Sequence, residues 1–483
     1  MNARIDRVLQ VVQDKGVQMV DLKFVNLLGQ WHHLTVPAGQ LTGETFRLGV
    51  PFDASSTPGF KTVEAGDMVL LPDADTARMD PFWDVATLSM TCNIAEADTK
   101  ALYSRDPRGI AKRAERYLRD SGIADESLWS PEFEYYIFDS VSYQSDINLA
   151  QYFIDSVEAD WNSGMRREIN RSESERNLGH KISRKSGYHA IPPLDALFNL
   201  RSQMVRFLEE GGIQVRYHHH EVGGPGQSEI EILFYPLVQA ADHTMWAKYV
   251  IKMVAQRNSR TVTFMPKPLY NEAGSGMHMH QRLFKSGKPL FFDANGYAGL
   301  SQLARYYIGG VLTHGPSLTA FTNPSTNSFK RLTPGFEAPV NLFYSLANRS
   351  AAIRIPKYAI TAEEKSIEYR PPDATCNIYI ATSAILMAGI DGIRRKIDPS
   401  EAGFGPYDMD VEKLPEEIRK TVKPLPASLK ESMDALLRDC QYLLEGGVFD
   451  RDIIDTWVRL KIKEYYEVRN RPHPYEMNLY YEA

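Results

Sequence analysis

Cysteine is scarce in this 483-residue chain: three thiols, Cys92, Cys376 and Cys440, lie far apart and form no CxxC pair. That excludes a disulfide framework and a cysteine-built metal site as organising devices. It also fits a reducing compartment. Long apolar runs are missing too. The longest, about 378–390, contains Thr382 and Ser383 and is too short to cross a bilayer, which takes about 20 residues. The opening MNARIDRVLQ is charged from position 4 and holds no apolar core, so the sequence predicts no secretory signal and a cytoplasmic protein. Positive charge is not in excess. Lys and Arg number 55 against 61 Asp and Glu, a net charge of −6, which argues against a nucleic-acid binder. Common catalytic and nucleotide motifs are absent as well: no GxxxxGK[ST], no GxGxxG after a strand, no GxSxG and no HExxH. A nucleotide, if used, is not held by a P-loop. No internal repeat stands out. What remains is 43% hydrophobic and 24% charged, an ordinary globular balance. The length allows two or three domains and a large core.

The pattern along the chain is α+β. Ile5, Val8, Leu9 and Val12 recur at helical spacing and predict a short amphipathic opening helix. VQMVDLKFVNLLGQWHHLTVP reads as two strands around a turn near Gly29. Residues 47–62, rich in Gly, Ser and Pro, read as a functional loop, followed by a strand in EAGDMVLLPD. Together 1–105 predict a small α+β domain. Asp106-Pro107 marks a boundary, with Asp106 capping and Pro107 opening a helix that runs to about Ser121. The remainder, 106–483, mixes strands at 128–139, 214–222, 228–234 and 275–284 with helices at 194–211 and 240–258. A helical hairpin near 299–322, strands near 340–355 and 366–371, and helices from 376 onward complete it. The strongly polar stretch 162–187 is read either as a solvated loop or as a contact with another subunit.

The chemistry is carried by one repeated device, polar residues two apart inside apolar strands. Glu132 and Glu134 lie in SPEFEYYIFD, His278 and His280 in GSGMHMH, Glu368 and Arg370 in SIEYRPPD. A strand's side chains alternate faces, so each pair points one way. The flanking apolar residues predict buried strands, where such charge is costly without a metal or ligand. HHHEV and GQSEIEI add Glu221 and Glu229. Five carboxylates and one imidazole suit Mg²⁺ or Mn²⁺ better than structural zinc. Two such ions would clamp a phosphate during in-line transfer. His218, His219 and His220 admit two readings, a metal tract or packing. Arg331, Arg349, Arg354 and Arg370 add guanidinium forks suited to phosphates and carboxylates. Carboxylates, arginines and no P-loop point to phosphoryl transfer onto an anionic substrate.

At this point the motifs resemble those of a known family, the type I bacterial glutamine synthetases. The resemblance is carried by FDASS (52–56), EFEYYIFD (132–139), HHHEVGGPGQSE (218–229), FMPKP (264–268), GSGMHMH (274–280), NPSTNS (323–328), KRLTPGFEAP (330–339), NRSAAIRIP (348–356) and IEYRPPD (367–373), in order and at consistent spacing. It implies a small β-grasp-like N-terminal domain over 1–105. A catalytic domain over 106–483 would follow, with a curved antiparallel sheet flanked by helices. It further implies ATP-dependent ligation of L-glutamate and ammonium through γ-glutamyl phosphate, with Mg²⁺ or Mn²⁺ as cofactor. The assembly it implies is a homo-dodecamer of two stacked hexamer rings with active sites between subunits. The aromatic tail RPHPYEMNLYYEA would dock into the opposite ring.

Residue by residue, the resemblance implies one metal on Glu134, Glu221 and Glu229 and another on Glu132, His278 and Glu368. Glutamate would bind near Gly274 with Arg331 and Arg370 on its carboxylates. Arg349 and Arg354 would meet the transferred phosphate, and Phe234 and His280 the nucleotide. Asp53, Ser56, Tyr188 and Glu221 would form the ammonium pocket, with Asp53 taking the proton. Glu337 would sit on a closing loop, and Tyr407 falls near a position open to two readings, adenylylation or plain loop. The chain departs from the family pattern at Ala273, where Asn is usual, at Ala54 for Gly, and at Arg216 and Arg282 on the nucleotide side. Two alternatives share the fold: a γ-glutamyl-amine ligase, and an inactive structural or regulatory relative. The retained ammonium-pocket residues speak against the first, the retained ligands and arginines against the second.

Overall fold

The computed structural model describes residues 3–162, 178–335, 338–409 and 411–483. Most of the polar stretch expected at 162–187, and Glu337, lie outside the described residues.

The N-terminal part is a six-stranded mixed sheet. Trp31–Pro37, Met19–Val25, Thr87–Glu96, Asp67–Pro72 and Val50–Asp53 lie side by side in that order, and Arg78–Asp80 also pairs with Thr87–Glu96. Met19–Val25 and Thr87–Glu96 run parallel, in keeping with the grasp arrangement that the resemblance implies. The stretch read as a loop at 47–62 is partly regular: Val50–Asp53 is an edge strand and Ala54–Ser56 a short 3₁₀ turn. Asp106 caps the next helix, Pro107–Asp120. One carboxylate oxygen accepts from the Arg108 N–H at 3.2 Å, the other from the Ile94 N–H at 3.2 Å. The cap thus also fixes the helix to the small sheet.

The larger sheet carries the strands Val215–His220, Gln227–Ile232, Glu126–Phe138, Met277–Lys285, Ile367–Tyr369, Ala351–Ile355, Asn341–Leu346 and Lys423–Pro424 in spatial order. Its pairings are antiparallel, with one parallel exception between Asn341–Leu346 and Ala351–Ile355. A tight return through Ala347, in the left-handed region at φ 63°, connects those two. Phe133, Tyr135, Ile230, Met277 and Met279 are fully buried on the rear face. The helices Phe198–Glu210 and Leu237–Arg257 pack against this sheet. Period-two alternation therefore devotes one face to core and leaves the other for chemistry.

The long apolar stretch forms the helix Ile378–Arg395, buried along nearly its whole length. It packs against the helix Gln302–Thr313 through glycines; a Cβ on Gly310 would strike the Ala388 carbonyl, and one on Gly389 the Tyr307 ring. Among the described residues no helix is long and apolar enough to cross a membrane. Continuous helix from 376 onward is not found. Among the described residues of 396–428, helix is confined to short pieces, because Pro399, Pro406, Pro415, Pro424 and Pro426 interrupt it.

The two sheets are locked through Lys23. Its ammonium contacts Asp21 at 2.7 Å and Ser89 at 2.6 Å. It also stands 5.6, 5.5 and 4.9 Å from the rings of Trp31, Trp246 and Tyr249. Trp246 and Tyr249 belong to the helix Leu237–Arg257, so a cation of the small sheet is held by aromatics of the larger part.

Candidate active site

Strand register builds the site. Across the larger sheet, His219 pairs with Glu229 and Glu229 with Glu134. In the next row Glu231 pairs with Glu132 and Glu132 with His278. In a third, His280 pairs with Glu368 and Glu368 with Arg354. Directly opposed residues share a face. Residues two apart on one strand share it as well. The three rows therefore lie on the same face, opposite the buried methionines. Side chains 146 and 148 positions apart in sequence thereby meet: Glu132 contacts His278 Nδ1 at 2.8 Å and His280 Nε2 at 2.7 Å. His278 reaches Glu368 at 3.5 Å and Glu134 at 3.8 Å. His219 Nε2 lies 3.2 Å from Glu229, and its Nδ1 lies 3.7 Å from Glu221. Among the described residues, two groups have ligand atoms gathered within 4.8 Å, Glu132 with His280 and Glu368, and His219 with Glu221 and Glu229.

The electrostatics divide the face in two. Burial works against ionisation of Glu132, yet His280 and His278 outweigh it and hold its carboxyl well below the ordinary range. Glu368, fully buried, is likewise held low, with Arg370, His280 and Arg354 overcoming burial and the charge of Glu132. At the other end burial, reinforced by neighbouring carboxylates, pushes Glu221 and Glu229 well above the ordinary range. One end is charge-balanced by imidazoles and arginines. The other is a crowd of acids short of positive charge, the condition a divalent cation relieves.

The arginines and the glycine segment frame this face. Arg354 and Arg370 both bond Glu368. Arg331 is buried and spends its N–H groups on carbonyls, Pro371 at 2.7 Å, Pro372 at 3.3 Å and Arg370 at 3.2 Å. It therefore clasps the 370–372 segment as well as lending charge. Gly274 passes so close to Arg331 that a Cβ would sit 2.7 Å from Arg331 Cγ. Its carbonyl accepts from Gln227 Nε2 at 2.9 Å, and the Ala273 carbonyl accepts from the Tyr136 hydroxyl at 2.7 Å. The backbone at 273–274 is thus fixed although position 273 has no side-chain amide. The Gly276 N–H donates to Glu134 at 2.7 Å.

Tyr188 joins the acid-rich end. It stacks on His189 at 4.1 Å, and His189 stands edge-on to His219 at 4.6 Å. These rings line a cavity of about 660 Å³. Arg349, exposed in the return between the parallel strands, adds its charge to the field at His189. Phe234 stands 6.4 Å from His280, with the Arg282 guanidinium 3.9 Å from its ring. Arg216 pairs with Glu231 at 2.8 Å and lies 5.5 Å from the Tyr358 ring. Asp53 and Ser56 are not brought to this face. They sit on the edge of the small sheet, where the Asp53 carboxylate accepts from the Ser55 N–H at 2.8 Å and the Ser56 hydroxyl at 3.3 Å. Tyr407 is half-buried, its ring 5.8 Å from Phe343 and its hydroxyl donating to the Gly403 carbonyl at 3.4 Å.

Two residues of the face escaped the sequence reading. Glu231 sits two residues after Glu229, the same spacing that flagged Glu132 and Glu134, and its Oε2 is buried without a partner. In the sequence His219 is indistinguishable from its neighbours His218 and His220. The register separates them: His219 faces the acids, whereas His220 turns to Glu158 at 3.1 Å and His218 meets Ser202 at 3.2 Å.

Comparison with known proteins accords with this geometry. The family model described as "Glutamine synthetase, catalytic domain" matches residues 104–480, and "Glutamine synthetase, beta-Grasp domain" matches 16–97. A glutamine synthetase of Frankia alni is 49% identical over 483 residues, covering 100% of both chains. One of Mycolicibacterium smegmatis is 46% identical over 479 residues, 99% of each. Among solved structures, a Plasmodium falciparum glutamine synthetase superposes with a TM-score of 0.87 at 28% identity, covering 99% of this chain and 98% of that one.

Proposed function

Because the chain belongs to the glutamine synthetase family and its reaction is ATP-dependent ligation of L-glutamate and ammonium to L-glutamine, we propose that the acidic face of the larger sheet carries it out. The observation that supports this most is the three-row register, which gathers Glu132, Glu134, Glu229, His278, His280 and Glu368, with Glu221 joining them beyond the end of its strand beside His219. The donor set fits divalent cations: it is oxygen-rich with an imidazole, and two of its carboxyls are crowded enough to resist ionisation. In this reading Glu134, Glu221 and Glu229 hold one Mg²⁺ or Mn²⁺, and Glu132, His278 and Glu368 another. Such ions supply charge neutralisation for phosphoryl transfer and orient the phosphates.

The chain's own groups do the rest. Glutamate lies along the 273–274 carbonyls, with Arg331 and Arg370 providing positive potential for its carboxylates. Its side-chain carboxylate attacks the ATP γ-phosphorus, which gives γ-glutamyl phosphate and ADP. Arg349 and Arg354 neutralise charge on the phosphoryl oxygens, and Phe234 and His280 flank the nucleotide. Ammonium is held by Tyr188 and Glu221 together with Asp53 and Ser56. Asp53 takes its proton and ammonia then displaces phosphate. Glu337 belongs to the loop that shields the acyl phosphate from water.

Asp53 and Ser56 make no contact with the acidic face of their own chain, which supports a site completed by a neighbouring copy. The exposed C-terminal helix Pro474–Tyr480, with Tyr475, Met477, Leu479 and Tyr480 all more than half exposed, supports docking onto another copy. Both fit a dodecamer of two hexamer rings. Three buried free cysteines suit a cytoplasmic setting. Tyr407 is a packing residue of its loop.

The test is phosphate release by the purified protein with ATP, Mg²⁺ and glutamate, comparing ammonium with a panel of primary amines. Ammonium-dependent turnover with glutamine as product is expected. Turnover with an amine alone would move the protein to the γ-glutamyl-amine ligases and place the difference in the 53–56 turn. No turnover with either would point to a structural or regulatory relative.

A further inference from the structure

Buried side-chain donors and acceptors without partners gather at two places above all. One is the acidic face, at Glu231, Arg282, Arg354 and Arg370. The second is the junction between the small sheet and the helix Leu237–Arg257, where Arg78 Nη1 and His243 Nδ1 are both unpartnered. Both residues line a cavity of about 450 Å³ there, away from the metal-ligand carboxylates. An occupant of the cavity with a hydrogen-bonding group could therefore satisfy both.

The lining says what kind. Its carboxylates are already engaged. Asp242 accepts from Arg108 at 2.8 and 2.9 Å and from the Tyr379 hydroxyl at 2.6 Å. Asp73 accepts from Arg108 at 2.8 Å and Lys112 at 3.1 Å. Glu115 accepts the Val238 N–H, at the start of the helix, at 3.1 Å. Arg78 has no such partner: its Nε makes only a long bond of 3.4 Å to the Thr76 carbonyl, and its guanidinium lies 5.0 Å from the Trp246 ring. Burial, aided by the charge of Arg78, pushes the His243 imidazole down to about 4, so it is neutral and free to donate through Nδ1. The cavity therefore presents one guanidinium with no carboxylate hydrogen-bonded to it, beside a neutral donor.

We propose that this junction cavity is a second ligand site that takes a small molecule bearing one carboxylate or phosphate group, held by Arg78 from the small sheet and His243 from the helix. A polyanion is disfavoured by the four acids around the rim, Asp73, Asp75, Glu115 and Asp242. The ligand would bridge the two sheets beside the Lys23 contact.

Trp246 lies under Arg78 and reports on the site. The full-length protein is titrated with inorganic phosphate and, separately, with acetate, at constant ionic strength balanced with chloride, while tryptophan emission is followed. A non-hydrolysable ATP analogue with Mg²⁺ keeps the catalytic face filled. A saturable change with at least one anion is expected. It should be absent in Trp246→Phe, and its half-saturation should rise at least tenfold in Arg78→Gln. The anion that saturates at lower concentration identifies the preferred group. Should Arg78→Gln fail to fold, His243→Gln serves instead, with a weakening of several-fold expected. Three results would overturn the proposal: no saturable change with either anion, which leaves the cavity to water; a change abolished by the ATP analogue, which assigns binding to the catalytic face; or a change equal in wild type and both variants, which is a bulk salt effect.

Discussion

Replacing Glu229 with Gln should stabilise the metal-free protein while weakening its response to metal. The two effects have one cause. Glu229 is buried, and its oxygen lies within 4.8 Å of those of the Glu221 and His219 group. Two carboxylates at that distance repel by about 3.5 kcal/mol at an effective dielectric constant of about 20. His219, 3.2 Å from Glu229, offsets part of this, so a net gain of about 1–2 kcal/mol is expected. For a chain of this size that is a rise of about 1–2 °C in the unfolding midpoint after exhaustive chelation. The sign with pH is fixed as well. Burial and the surrounding acids raise the folded carboxyl, so no penalty exists where folded and unfolded forms are both protonated. The penalty grows as pH climbs from the unfolded value to the raised one. The gap between variant and wild type should therefore be smaller at pH 5.5 than at pH 8. In millimolar Mn²⁺ the order should reverse, because the wild type gains a ligand that the amide only mimics. The assay is thermal unfolding of both proteins, chelated and metal-loaded, at the two pH values. A variant destabilised equally with and without metal would refute the reasoning, and would mean that Glu229 is held by hydrogen bonds rather than strained by like charge.

Asp53→Ala should cut ammonium-dependent glutamine formation by about a hundredfold or more, the usual scale of a lost general base. It should spare turnover with hydroxylamine, which is already neutral near pH 7; equal loss with both nucleophiles would remove Asp53 from proton transfer. Tyr136→Phe deletes the hydroxyl that holds the Ala273 carbonyl at 2.7 Å. At about 1 kcal/mol for that bond, KM for glutamate should rise about fivefold with KM for ATP unmoved, and the reverse pattern would contradict the placement of glutamate. His314 is buried between Asp391 and Asp439, 2.8 Å from each. Burial opposes its charge, but the two aspartates outweigh it and raise its pKa. Its stabilisation is thus complete below about 6.5 and lost as pH rises through the folded value. His314→Asn should cost most near pH 5.5 and least near pH 9 in unfolding experiments, and a cost growing with pH would exclude a charged His314.

The sequence made much of the site legible because period two is a local property. Glu132 with Glu134, His278 with His280, and Glu368 with Arg370 could each be assigned to one face from spacing alone. Which row meets which could not be read. Pairing of Glu132 with His278 depends on register between strands 146 positions apart, and no local rule encodes that. Glu231 shows the opposite failure, since it repeats the Glu-x-Glu spacing and was passed over. His219 was obscured by identical neighbours whose alternation only the strand resolves. The small sheet's parallel pair and the prolines that break the helices after 396 show the same division, one set by long-range pairing and the other by residue type. Asp53 is a further case. Its role rests on resemblance, because a single chain leaves it exposed at a sheet edge.

The three rows also tie activity to folding in an all-or-none manner. Sliding any one of the strands Gln227–Ile232, Glu126–Phe138 or Met277–Lys285 by a single residue would turn its whole set of ligands into the core and bring methionines and isoleucines to the surface. Such a molecule would not be a slower enzyme; it would be none at all, and greasy besides. The specific activity of a preparation, at saturating substrate and metal, is then a count of correctly threaded molecules. A refolded sample at half the specific activity should consist of full-speed and dead copies, separable by their affinity for a hydrophobic resin.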